Sequence, residues 1–373
     1  MIDPVNSGAT APALPAGNAF KLGLFGINTD GGIAITKVAE RWRARWEDIA
    51  HVIQLADRAG LEFVLPIARW KGYGGETNVR NHSFETLTHG AALAALTKRM
   101  MIFSTVHVPL VHPVFAAKAL ATIDHVSGGR AGLNIVCGWN QDEMSMFGHV
   151  QREHGDRYAQ GAEWYDVLVR IFTSGGVPFD YKGKFYDLQG VSGEPAPVQS
   201  PRPLTMSAAS SPAGRAFAAR TSDLLFTTFA DLETGQRQLS EIRALGAAEG
   251  RDLDALTAAH IVCRETDAEA RAYYRHYADE QADTAAVDFH INMTLANSKA
   301  DATVVRDRVR RAAGLSSFAL VGSAQTVADG LIAIHRAGFT GTSLSFVDFR
   351  EELPMFLERV MPLLRQAGLR AAG

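Results

Sequence analysis

Few side chains in this sequence have the type and spacing to do chemistry, and most of them sit where apolar runs end. Asn28 closes KLGLFGIN and Arg69 follows LEFVLPIA. Thr105 and His107 lie in MMIFSTVHVP, Asn134 lies within RAGLNIVCG, and Trp139 stands just beyond it. Ser210 and Ser211 follow PLTMSAA, Thr228 lies in DLLFTTF and Asp348 in TSLSFVDF. An amide inside a buried run costs stability unless something bonds to it, so Asn134 calls for a partner.

Several chemistries fail on residue type. A metal-dependent hydrolase needs converging His and carboxylate ligands. This chain has no H-x-H after its first apolar run and no H-E-x-x-H, so no metal site is expected. No G-x-S-x-G elbow appears, and Cys137 and Cys263 both lie in apolar runs, as inert buried thiols of a reducing compartment would. The K-G-K at 182–184 lacks the upstream glycine of a phosphate-binding loop. Amides, hydroxyls, arginines and aromatics remain, the profile of a site in which a bound organic cofactor carries the reaction. Arg157-Tyr158 and Ser210-Ser211-Pro212, each at a helix start, would suit a phosphate monoester, although Ser-Ser-Pro also reads as a plain helix cap.

These residues need a frame. Eight strand-like runs, 21–28, 61–68, 100–109, 130–138, 203–209, 223–229, 256–265 and 342–349, alternate with segments of helical period. One of those, 83–99, takes Ser83 as its expected N-cap. Near-continuous apolar strands, each followed by a helix, predict an α/β fold: one (β/α)8 TIM barrel with its functional groups at the C-terminal strand ends. An open doubly wound sheet ranks second, because no G-x-G-x-x-G follows a first strand. The Pro/Ala/Gly-rich residues 1–20 read as a flexible arm, and 21–368 as a single barrel domain. Within it, 177–190 reads as an inserted β-hairpin. The stretch 281–320 reads as a lid over the barrel mouth, with a surface insertion or oligomer contact as alternatives.

Composition sets outer bounds. With 373 residues, 47% hydrophobic, 21% charged and a net charge of −3, the chain reads as an ordinary soluble protein without a nucleic-acid footprint. No apolar run reaches membrane-spanning length and the N-terminus lacks a basic signal region, so a cytoplasmic, membrane-free protein is expected.

The motif ATIDHVSGGRAGLNIVCGW (121–139) resembles the signature of the bacterial-luciferase-like flavin-dependent monooxygenases. So do the E-x-hydrophobic-T helix start at Glu85, the Gly138-Trp139 to Glu143 continuation, the pair at 157–158 and the YKGKFY hairpin. The resemblance runs from Lys21 to about Leu364 and is nearest to the pyrimidine and dimethyl-sulfone monooxygenases. It implies a barrel that takes up FMN as FMNH2 from a separate NAD(P)H:flavin reductase and reacts it with O2. It further implies a small-molecule substrate and a homo-oligomer, dimer or tetramer. By the same resemblance, Ala68 and Arg69 lie beside the isoalloxazine, and Asn134 and Glu143 are polar flavin contacts. Arg157, Tyr158 and Ser211, with Ser210 beside it, serve the phosphate end. Thr105 and Asn134 match a pair that holds O2 against flavin N5 and favours an N5-peroxide over a C4a adduct, and Trp139 would form a wall.

His107, Ile67 and Ala209-Ser210 depart from the pyrimidine-type pattern, and His107 is either a substrate partner or acid–base group, or a structural histidine. The implied reaction oxygenates and cleaves a small N-heterocycle or cyclic amide. Alternatives are an organosulfur monooxygenase using Arg69, Arg80 and the basic run 306–311, a flavin-binding barrel without turnover, and a deazaflavin-dependent oxidoreductase.

Overall fold

The computed structural model describes residues 13–208, 211–229, 231–297, 305–315 and 317–371. Its strands are β1 (Lys21–Phe25), β2 (Phe63–Leu65), β3 (Met101–His107), β4 (Ala131–Val136), β5 (Phe179–Lys182), β6 (Asp187–Val191), β7 (Leu204–Ala208), β8 (Leu224–Phe226), β9 (Asp254–Cys263), β10 (Phe318–Gly322) and β11 (Gly341–Ser345). Its helices are α1 (Trp46–Arg58), α2 (Thr86–Leu96), α3 (Pro113–Ser127), α4 (Gln141–Met146), α5 (His154–Thr173), α6 (Pro212–Thr221), α7 (Leu232–Ala248), α8 (Asp267–Arg275), α9 (Thr284–Asn297), α10 (Arg308–Gly314), α11 (Ala324–Arg336), α12 (Phe349–Arg359) and α13 (Met361–Gln366). Among the described residues, no helix is long and apolar enough to cross a membrane.

Strands β1, β2, β3, β4, β7, β8, β9 and β11 pair in parallel in that order, and β11 returns to β1, which closes an eight-stranded barrel. Each of the eight runs read as a strand supplies one stave. The register carries the period-two logic of strands into the core. Along β3, Ile102 and Val106 join the cluster beneath the outer helices, whereas Met101 and Phe103 join a separate cluster inside the barrel. Phe63 and Phe103 meet edge to face at 6.2 Å as part of that interior floor. A Cβ at Gly23 would run into the Phe63 ring, so the β1 stave passes the floor there as glycine. Higher on the inward faces the residues become polar: Thr105, His107 and Asn134. The barrel therefore has an apolar floor and a polar mouth.

Some expectations are corrected. Helix α2 starts at Thr86 rather than near Ser83, because the Glu85 carboxylate accepts from the N–H groups of Leu87 and Thr88. Ser83 instead donates to the Arg69 carbonyl (2.8 Å). The arm is not free over its described end. Leu14 packs on the barrel floor, and the Asn18 amide holds Glu62 and the Ala371 N–H. Residues 1–12 of that arm, Ser210, and 298–304 and 316 of the 281–320 segment lie outside the described residues.

The remainder of 281–320 is a packed element. Helix α9 buries His290 and places Ala286, Val287, Ile291 and Met293 in a second apolar cluster that also takes Tyr73 and Val79 from the β2–α2 loop. Asp283 locks that loop down by accepting from the N–H and hydroxyl of Thr77, both at 2.7 Å. Strand β10 then joins the edge of β9 that β8 has left, pairing Phe318 to Gly322 with Ala259 to Cys263. A five-residue run beside a basic helix gives little periodicity to read. In the chain between α5 and β7, β5 and β6 pair antiparallel.

Candidate active site

The mouth is built around one hydrogen-bonded step between neighbouring staves. Parallel pairing places Thr105 of β3 beside Asn134 of β4. The Thr105 hydroxyl donates to the Pro66 carbonyl (2.6 Å) at the end of β2 and accepts from the Asn134 amide nitrogen (3.1 Å). A hydroxyl has one proton, so this arrangement fixes which end of the amide faces Thr105. It leaves Asn134 Oδ1 buried with no partner among the described residues. A buried carbonyl left unmatched costs about 1–3 kcal/mol, which marks it as an acceptor held in reserve. Asn28, by contrast, is fully spent. It donates to the carbonyls of Ile67 and Phe84, accepts from the Ile67 N–H, and thereby holds the strand end that leads into Ala68.

A charged group closes one side. Arg69 Nη1 donates to Glu143 Oε2 at 3.2 Å, and its guanidinium lies 4.9 Å over the Trp139 ring. Glu143, on α4, has no exposed side-chain surface and with its other oxygen accepts from the Trp70 N–H (3.0 Å). Both oxygens are thus engaged by the 69–70 segment. His107 Nδ1 stands 3.9 Å from Glu143 Oε2, beyond hydrogen-bond range, and has no partner among the described residues. Ala68, Arg69, Thr105 and His107 line one cleft together with Phe84 and Leu110.

Arg157, Tyr158 and Ser211 gather elsewhere on the rim. Arg157 donates to the Gly138 carbonyl (2.7 Å) and lines a second cleft with Gly138, Cys137 and Met144. The Tyr158 hydroxyl meets Ser211 Oγ at 3.2 Å, and Ser211 caps α6 by accepting from the Gly214 N–H. Gly138 carries φ +83, a conformation L side chains avoid, and it turns the chain from β4 towards Trp139. Cys137 is buried, and burial pushes its thiol up to about 12, so it is no nucleophile. Thr228 is only half-buried, and Asp348 caps α12.

Sequence reasoning missed Tyr73 and His290. Tyr73 is buried and accepts from Arg80 Nη1 (2.8 Å), and its ring lies 4.8 Å from that of His290. No sequence signal joins them, because a loop and an inserted helix share no period.

Burial also sets the protonation of the mouth. Desolvation lowers His107 to about 4, helped by Arg69 and opposed by Glu143. Burial alone lowers His89 to about 4 and His260 to about 3, and His290 falls well below 6.5 by burial and three nearby arginines. The unfolded chain therefore binds more protons than the fold between about pH 6.5 and 4, and stability is lost as pH falls through that window. Asp30, Asp348 and Glu352, each raised chiefly by burial, act in the opposite sense at its acidic end. The melting temperature is expected to be level above about pH 7 and to fall steeply towards pH 4. A level melting temperature down to pH 4 would show that these imidazoles are not held neutral.

Residues 24–341 match the family described as luciferase-like monooxygenase. The chain is 30% identical to the FMNH2-dependent dimethylsulfone monooxygenase of Pseudomonas putida, over 91% of its own length and 93% of the relative's. It is 30% identical to the pyrimidine monooxygenase RutA of Caulobacter vibrioides, over 92% and 98%. Among solved structures, riboflavin lyase (RcaE), determined with modified FMN and riboflavin, matches with a TM-score of 0.83 at 22% identity, over 95% and 93% of the two chains, a likeness of fold. The polar-mouthed barrel and a family match across most of its length lead to one conclusion: the chain belongs to the luciferase-like monooxygenases.

Proposed function

We propose that this flavin-dependent monooxygenase uses FMNH2 and O2 to oxygenate and open a small N-heterocycle or cyclic amide. The observation that carries the reading is the unpartnered Oδ1 of Asn134, held beside the Thr105 hydroxyl in the mouth of the barrel. The donor set fits a flavin. Asn134 offers a ring N–H an acceptor, Arg69 and Trp139 offer a flat cationic–aromatic wall, and Arg157, Tyr158 and Ser211 offer a guanidinium, a phenol and a capped helix start to a phosphate. Reduced FMN, when bound, supplies the electrons that let one oxygen atom enter the substrate and the other leave as water.

The protein's part is to orient and to dry. Held in orientation by the Thr105 hydroxyl, Asn134 presents a preset amide in a desolvated cleft, where such a dipole acts most strongly on developing charge. His107, neutral at ordinary pH, serves as a hydrogen-bond partner or proton acceptor for an amide N–H rather than as a charged acid. Ala68 leaves room beside the ring. Helices α9 and α10 of the 281–320 segment wall the β2–α2 side of the mouth, and a separate NAD(P)H:flavin reductase supplies the reduced cofactor.

The test pairs the protein with a flavin reductase, NAD(P)H and 18O2, and offers uracil-like rings and dialkyl sulfones side by side. One 18O atom in a ring-opened product is the expected result. Labelled product from the sulfones alone would replace the substrate class with organosulfur compounds. FMNH2 that reoxidises as it does in free solution, with no product, would leave a flavin carrier. Tight uptake of a deazaflavin in place of FMNH2 would reassign the cofactor.

A further inference from the structure

The β2–α2 loop and the 281–320 segment bring together more buried positive charge than the described site uses. Arg69 and Arg80 come from the loop, and Arg311 comes from α10. Arg80 is 4% exposed and Arg311 6%, and the Arg69 side chain is 7% exposed. The buried carboxylate of Glu143 stands against Arg69 and Arg80, and it is already bonded to Arg69 and the Trp70 N–H. Asp307, the carboxylate acting on Arg311, is exposed at the start of α10, where it accepts from the Arg310 N–H. Buried charge on this scale is strongly unfavourable unless it is compensated.

What the cluster presents is a set of donors. Tyr73 accepts from Arg80 and so keeps its own O–H to give. Arg69 Nε has no partner among the described residues. His290, only 5% exposed, has an unpartnered Nδ1 beside the Tyr73 ring. Arg311 is oriented by its Nε bond to the Val305 carbonyl (3.1 Å), and Arg80 by its Nη2 bond to the Gly32 carbonyl (3.3 Å). The electrostatics run the same way. Burial would raise the Tyr73 phenol, yet Arg80 and Arg69 outweigh it and hold the phenol below its ordinary value. Beside burial, Arg311, Arg80 and Arg69 all oppose protonation of His290.

We propose that Arg69, Arg80 and Arg311, with the Tyr73 hydroxyl and His290 between them, form a binding site for an oxyanion group, a carboxylate or a sulfonate, carried by the substrate. Guanidiniums meet such groups with paired N–H donors, and a planar phenol and imidazole fill the remaining directions. The Asp283–Thr77 contact supports the site by fastening the loop that carries Tyr73 and Arg80 to the start of the helix that carries His290. The inference rests on taking the barrel mouth as the substrate site, and it narrows the substrate to compounds that carry a negative charge beside the reacting bond.

Binding separates this proposal from the reaction. Calorimetric titration of the FMN-loaded protein with two charge-differing pairs, uracil-6-carboxylate against uracil and methanesulfonate against dimethyl sulfone, needs no turnover. Each anion is expected to bind at least about 10-fold more tightly than its neutral partner, the worth of one charge-assisted hydrogen bond. That preference is expected to disappear in Arg311→Gln and return in part in Arg311→Lys, with FMN affinity unchanged in both. Equal binding of the anion and its neutral partner by the wild-type protein overturns the site, whether or not the variants fold. A folded Arg311→Gln that keeps the full preference does the same. Anion preference without turnover of any compound keeps the site and removes the proposed reaction, whereas turnover of a neutral ring without anion preference does the reverse.

Discussion

Asn134→Ala is expected to lower product formation by about 10²–10³-fold, the usual loss when one preset dipole is removed from a desolvated site. FMN affinity should change little, because the phosphate-end group around Arg157, Tyr158 and Ser211 lies apart from the change. Stability should hold or rise slightly. Alanine removes an unpartnered carbonyl oxygen, and the Thr105 hydroxyl keeps its bond to the Pro66 carbonyl. Loss of activity without loss of stability is the mark of a group kept for function. Arg157→Ala should give the mirror image, with weaker FMN binding and turnover largely restored at saturating cofactor. Single-turnover measurements with FMNH2-loaded protein, alongside FMN titrations, separate the two. If Asn134→Ala loses cofactor affinity and turnover in equal measure, Asn134 is a scaffold residue and the reserved acceptor has no catalytic meaning.

Thr105 and Asn134 are each legible in the sequence as polar residues inside strand-like runs, whereas their pairing is implied there by the family resemblance alone. Buried parallel strands read as apolar runs, so a polar residue inside one stands out. The barrel itself is readable for the same reason, since each stave announces itself locally. Glu143 is harder. Its position can be matched by resemblance, but its partner Arg69 lies 74 residues away, and nothing in the spacing says that both carboxylate oxygens are already engaged. Tyr73 and His290 leave no trace, because a loop and an inserted helix that meet only in three dimensions share no period. Strand β10 hides for a related reason. Five residues pairing with the upper half of β9 look like any short apolar stretch until β8 is seen to depart.

Glu143 therefore separates two accounts of the mouth, one in which it touches the flavin and one in which it holds Arg69 and Trp70 in place. Its removal is expected to be the largest single stability loss in the site. Glu143→Ala strands a guanidinium whose side chain is 7% exposed and strips the Trp70 N–H of its acceptor. Breaking a buried ion pair from one side typically costs about 3–5 kcal/mol. Glu143→Gln keeps an oxygen for the Trp70 N–H and loses only the charge, so a smaller loss is expected from it. The double variant Arg69→Met/Glu143→Leu removes both charges, and should recover much of the stability while leaving the Trp139 face without its cation. Urea unfolding of these variants, the matching single variants and the wild type gives the coupling between the two residues directly. A coupling near zero, with Glu143→Ala losing less than about 1 kcal/mol, would put the pair in the range of an exposed ion pair. Glu143 would then be available to a ligand. A large coupling assigns it to positioning, so that Arg69 reaches the substrate side of the mouth at an angle set by a carboxylate that the substrate does not touch.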